Sequence, residues 1–154
     1  KYRPQTMHEN IRRFYQFKRD MFMTESEYLE KFKTLVEVCD SVGCQLGEFQ
    51  DNTDKIITDS GEDPDIADEQ TRMAGMKMSK EQYLDIAFIL CANREKYGRM
   101  LENLMNQFLQ GDTEAFPVIV SDAHRLLVNW QSDCKLNRSS NVTSGEGLAY
   151  TQQG

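Results

Sequence analysis

Apolar side chains fall at helical spacing along most of the chain, and no stretch alternates regularly enough to read as a strand. The clearest run is Thr24 to Gly43. Tyr28, Phe32, Leu35, Val36 and Cys39 recur at i, i+4, i+7, i+8 and i+11, which is one face of a helix. Glu25, Glu27, Glu30, Lys31, Lys33 and Glu37 fall mostly on the other side. Thr24 and Glu27 have capping-box spacing, in which the hydroxyl accepts from the Glu27 N–H and the Glu27 side chain reaches back. Gly43 is placed to end the helix in a left-handed conformation.

The other elements are fitted around this one. Thr6 and Glu9 repeat the capping-box spacing and open a helix to about Asp20, after an extended lead-in in which Pro4 disfavours helix at Arg3. Met21, Phe22 and Met23 form a short apolar turn that either packs as a corner or stands out as a contact; the pattern leaves both open. A turn at Cys44–Gly47 leads to a short helix through about Thr58. The acidic stretch Asp59–Asp68 reads as a loop, with Pro64 starting a weak helix to about Met73. Met73, Met76 and Met78 sit in an otherwise polar connector. Methionines there serve as an adaptable contact surface or as gap-fillers around the core.

Ser79 and Gln82 mark a third cap and a helix from Lys80 to about Ala92, apolar around much of its circumference. Asn93 caps a helix from Arg94 to Leu109 whose face is Tyr97, Leu101, Leu104, Met105 and Phe108. Gly98 inside it implies a close approach by another segment. Ser121 caps a last helix to about Asp133, with Ala123, Leu126, Leu127 and Trp130 as its stripe and His124 on or near the surface. Residues 136–154 are polar and read as a flexible linker. The fold expected is all-α, a compact bundle of about six or seven helices over residues 1–135, with an acidic connector at about 59–78.

The chain has 154 residues, 39% hydrophobic and 28% charged, with a net charge of −7. That length supports one domain with a real core. An acidic chain is a poor general binder of nucleic acid, which requires clustered Lys and Arg. One local cluster exists: Arg12, Arg13, Lys18 and Arg19 on the first helix, with Arg3 before them. It reads first as a solvated face, and more sharply as an RNA or polyanion contact. Cys39, Cys44, Cys91 and Cys134 form no CxxC and read as reduced thiols, with Cys39 and Cys91 in the core. No apolar run has membrane-spanning length and no signal peptide is seen, so a cytoplasmic protein with no membrane partner is expected. A start at Lys1 suggests a segment of a longer polypeptide.

Catalytic chemistry has little support. His8-Glu9 lacks the second histidine of an HExxH motif, and no GxSxG, Walker A loop or GxGxxG occurs. The acidic run near Asp63 lacks the spacing of an EF-hand loop. No enzyme, metal or cofactor is expected.

Three segments carry a resemblance. FYQFKRDMFMTESEYLEKFKTLVEVCDSVGCQLG is one. EQYLDIAFILCANREKYGRMLENLMNQFLQG is the second, with the run Phe88 to Gly98 at its centre. The third is VIVSDAHRLLVNWQ, with Asp122 to Trp130. In this order they resemble the capsid-like Gag region of copia-type LTR retrotransposons, especially those of diatoms and related algae. The match covers about residues 1–135. The resemblance implies a retroviral-capsid C-terminal-domain-like fold and a structural role in shells of virus-like particles, with no catalytic residues. In that family RNA is packaged mainly by a downstream CCHC zinc knuckle, and no knuckle occurs in this sequence.

The leading expectation is therefore a self-assembling structural domain whose partner is itself. Phe22, Met23, Met73, Met76 and Met78 are the candidate self-association residues, because a closed shell needs at least two kinds of contact per subunit. The alternatives are a domesticated Gag-like adaptor that binds a protein partner in a helical groove, and a nucleic-acid-binding helical domain using the basic cluster.

Overall fold

The computed structural model describes residues 2–130. The C-terminal linker and Cys134 lie outside the described residues, as does the expected end of the last helix. The described residues are helical and loop structure, with no strand among them. The helices are α1 (Arg3–Gln16), α2 (Glu25–Ser41), α3 (Gln50–Asp59), α4 (Glu69–Cys91) and α5 (Arg94–Leu109), and a sixth run, α6, over 120–130. α1 packs on α2, α3 runs along α4, and α4 meets α5. The all-α expectation holds.

The core follows the α2 stripe. Tyr28, Phe32, Val36 and Cys39 are buried with Phe14 of α1, Phe88 of α4, Tyr97 and Met100 of α5, and Ala123 and Leu127 of α6. Tyr28 and Phe88 stack with ring centroids 4.5 Å apart, and Phe32 meets Phe88 edge-on at 5.1 Å. These geometries suit the ring quadrupole and add to the area buried. The Tyr28 hydroxyl donates to the Phe88 carbonyl at 2.6 Å. Phe88 lies in the last turn of α4, where carbonyls have no partner within the helix. Cys91, at the end of the same helix, has its carbonyl taken by the Arg19 N–H at 3.0 Å.

The ends of α2 form as the sequence indicates. Thr24 and Glu27 make both bonds of the capping box, at 3.2 and 2.9 Å. At the other end the Cys44 N–H reaches the Cys39 carbonyl and the Gly43 N–H the Asp40 carbonyl. This is a Schellman motif, with Gly43 at φ 78°. Asn93 caps α5, accepting from Glu95 and Lys96 N–H groups.

Several boundaries differ from the pattern. α1 begins at Arg3, not Thr6, because Pro4 lies in the first turn, where a missing N–H costs nothing. The Thr6 hydroxyl turns back to the Tyr2 carbonyl instead of capping. α1 stops at Gln16, short of Asp20, and the chain extends so that Arg19 can meet the end of α4. The expected Met73–Met78 connector is helix. α4 is one continuous rod from Glu69, and its cap is Asp68, whose carboxylate accepts from the Thr71 N–H at 2.7 Å. Pro64 lies in a turn and starts no helix. Ser79 is buried inside α4 and gives its hydroxyl to the Gly47 carbonyl at 2.9 Å.

Gly47 shows why. A Cβ there would sit 2.8 Å from the Cβ of Tyr83, so only glycine lets this turn lie on α4. Gly98 is the reverse: among the described residues no atom of another segment lies within 4 Å of a Cβ built on it, so no close approach there demands it. Met105 and Phe108 are about half exposed, while Met100, outside the face predicted for α5, is buried. Ser121 lies inside α6, which starts one residue earlier.

Candidate interaction surface

The α1–α2 corner, residues 17–24, is held by a buried polar cluster. Arg19 is 5% exposed. Its guanidinium donates to the Met23 carbonyl and to Glu25 Oε1, each at 2.7 Å, and to the Tyr97 hydroxyl at 3.1 Å. The Tyr97 hydroxyl in turn donates to Glu25 Oε1 at 2.9 Å, and Lys96 Nζ approaches the same oxygen at 3.4 Å. The guanidinium also lies 5.4 Å from the centre of the Tyr97 ring. A buried charge is tolerated when it is paired and most of its donors are used; Arg19 Nε has no partner among the described residues. The cluster ties the corner to the start of α2 and the first turn of α5.

This overturns one expectation. Arg19 is a structural cation and not part of an RNA or polyanion contact, because its charge is spent inside the protein. Arg12, Arg13 and Lys18 are exposed. Met23 is corrected as well: its side chain packs partly buried against the core and offers little as a self-association residue. Phe22, one residue earlier, is 88% exposed. Its N–H is held by the Asp20 carboxylate at 3.2 Å. Met73, Met76 and Met78 are exposed along α4 and belong to a helix surface, away from the corner.

Beside the corner lies a cavity of about 740 Å³. Met21, Ile89, Leu90 and Leu101 supply apolar wall, and Lys18 and Arg94 supply positive charge. Glu95 contributes one carboxylate. Leu90 and Met21 are more than half exposed. Sequence reasoning missed Leu90 and Arg94. Leu90 adjoins the core residues Phe88 and Ile89 in sequence, and only packing shows that the helix turns it outward.

Burial raises the pKa values of Tyr28, Cys39, Tyr83, Asp85 and Cys91. Desolvation holds the Cys39 thiol up at about 11, helped by the neighbouring Cys44. Cys91 is raised by burial against a counteracting Lys18. Asp85 is fully buried on α4, neither carboxylate oxygen has a partner among the described residues, and its pKa is pushed up to about 7 by desolvation and then by Asp122. Burial raises these values by disfavouring the charged form. His124 is half-buried, with Nε2 shielded and without a hydrogen-bond partner among the described residues.

Among the described residues no three or more His, Cys, Asp or Glu side chains are placed to hold a metal ion. No helix there is long and apolar enough to cross a membrane. The arrangement is one for binding: a rigid corner bearing an exposed aromatic ring, next to a cavity with apolar walls and a cationic rim. No known protein family, curated protein or solved structure matches the chain.

Proposed function

We propose that this chain is a self-assembling structural domain of the Gag capsid type, which builds a shell by contacts between copies and carries no catalysis of its own. The reading places it in the cytoplasm, in virus-like particles, with RNA held by a separate zinc knuckle. Three segments in family order support it, together with the all-α architecture that the resemblance implies.

The observation that carries it is Phe22. A phenylalanine at 88% exposure forgoes about 2 kcal/mol of burial. It stands on a corner anchored by the Arg19–Glu25–Tyr97 cluster, so docking it costs little ordering entropy. The test is sedimentation and light scattering of the chain across a concentration and salt series, with electron microscopy of the same samples. Discrete oligomers, tubes or particles that Phe22→Ser weakens support the reading. A strict monomer at millimolar concentration overturns it.

A further inference from the structure

We infer that the cavity beside the corner receives the acidic loop of a second copy of this chain, with Ile66 as the apolar anchor, in a head-to-tail contact. The inference rests on the self-assembly reading and adds one contact to the Phe22 surface.

The cavity asks for an apolar group flanked by negative charge. Leu90, Ile89 and Met21 line it, and Lys18 and Arg94 rim it, on a chain whose net charge is −7. A cationic rim on an acidic protein favours acidic partners and disfavours its own general surface. The volume, about 740 Å³, is in the range of ligand-sized sites, and the cavity opens to solvent on one side, where a loop can enter.

The loop between α3 and α4 has the matching form. Asp59, Glu62, Asp63 and Asp65 are exposed, and Ile66 in their midst is 82% exposed. It is also pre-shaped. The Asp63 carboxylate accepts from the Asp65 N–H at 3.0 Å, and the Asp63 carbonyl accepts from the Ile66 N–H at 3.2 Å. Arg72 clasps the Pro64 carbonyl and pairs with Asp54 at 3.5 Å. A loop already held in one shape loses little freedom on docking.

The loop cannot fill its own cavity. It precedes the first residue of α4, whereas Ile89 and Leu90 stand at that helix's end. At 1.5 Å per residue, the 23-residue rod separates the two by about 30 Å. Knob and socket therefore lie at opposite ends of one rigid spacer. Such a heterologous contact repeats, and produces rings or open chains instead of a closed pair.

The experiment uses two end-blocked forms of the full chain. Lys18→Glu with Arg94→Glu spoils the socket, and Asp63→Lys with Asp65→Lys spoils the knob. Each is expected to weaken self-association at least tenfold by sedimentation velocity at low salt. An equimolar mixture, with Phe22→Ser in both forms to silence the corner contact, is expected to form a 1:1 dimer that grows no further, since one intact knob meets one intact socket. Lys31→Glu with Lys33→Glu, exposed on α2, controls for the same change of charge as the socket variant and should assemble like the parent. Ile66→Ser should weaken association without changing charge.

If the parent assembles and both blocked forms assemble equally well, the contact is wrong and self-assembly stands. If the blocked forms are monomeric but their mixture stays monomeric too, head-to-tail docking is refuted. If the parent is itself monomeric at millimolar concentration, the self-assembly reading fails and takes this contact with it.

Discussion

Replacing Asp85 by Asn should remove a pH dependence that the fold builds in. Asp85 lies between α4 and the rest of the core, fully buried, with no hydrogen-bond partner for either oxygen among the described residues. Its pKa is pushed from the ordinary 3.8 to about 7 by burial and by the facing Asp122, which itself pairs with Arg125. The folded chain thus holds this proton more tightly than the unfolded chain. Below the ordinary value both states are protonated and nothing is lost. As pH rises from about 4 to about 7 the unfolded state ionises freely while the folded state resists, so stability falls; above about 7 the loss is complete. A shift of about three units corresponds to about 4 kcal/mol in all, of which about 2 kcal/mol falls between pH 5 and pH 7. The assay is urea unfolding of the parent and Asp85→Asn at pH 5, 6, 7 and 8. Every other ionisable group is common to both chains, so the difference in unfolding free energy isolates Asp85. That difference should move in favour of the variant by about 2 kcal/mol from pH 5 to pH 7. Parallel curves would refute the argument, because they would mean that Asp85 ionises as readily folded as unfolded.

Other substitutions test other parts of the fold. Arg19→Ala should cost about 3 kcal/mol in chemical unfolding, since it strips the part-buried Glu25 and the buried Tyr97 of a charged partner; a loss under 1 kcal/mol would show that the corner is not anchored there. Thr24→Ala should cost about 1 kcal/mol through the lost cap of α2, read as a lower urea midpoint with an unchanged slope. The two helix-interior glycines should respond in opposite directions in thermal unfolding. Gly98→Ala should stabilise by about 0.5–1 kcal/mol, because its Cβ meets nothing. Gly75→Leu should destabilise by about 1–3 kcal/mol, because a Cβ there already lies 3.2 Å from Ile57 and from Thr53 of α3.

Legibility differed by element for physical reasons. α2 and α5 were readable almost to the residue because each carries its own cap: Thr24 with Glu27, and Asn93. These bonds form within one turn and need no distant partner. α4 was misjudged at its N-terminal half. Met73 to Met78 show no clean apolar stripe, since that half packs a small-residue face, Gly75 and Ser79, against α3 and the Gly47 turn. Small residues leave little hydropathy signal, yet they are what lets two helices approach. At the corner, Phe22 and Met23 are indistinguishable by composition, and Arg12 and Arg19 look alike as surface cations.

The sequence by itself determined the helical class, the caps of α2 and α5 and the aromatic stripe around Tyr28 and Phe32, because helix periodicity and capping are local. Only the tertiary structure decided that Arg19 is buried while Phe22 is bare, that Asp85 has no hydrogen-bond partner among the described residues, and that the cationic cavity and the acidic Ile66 loop stand at opposite ends of α4. Those outcomes depend on which residue of another helix happens to lie opposite, and that information is spread over segments separated by up to 78 positions, as between Arg19 and Tyr97.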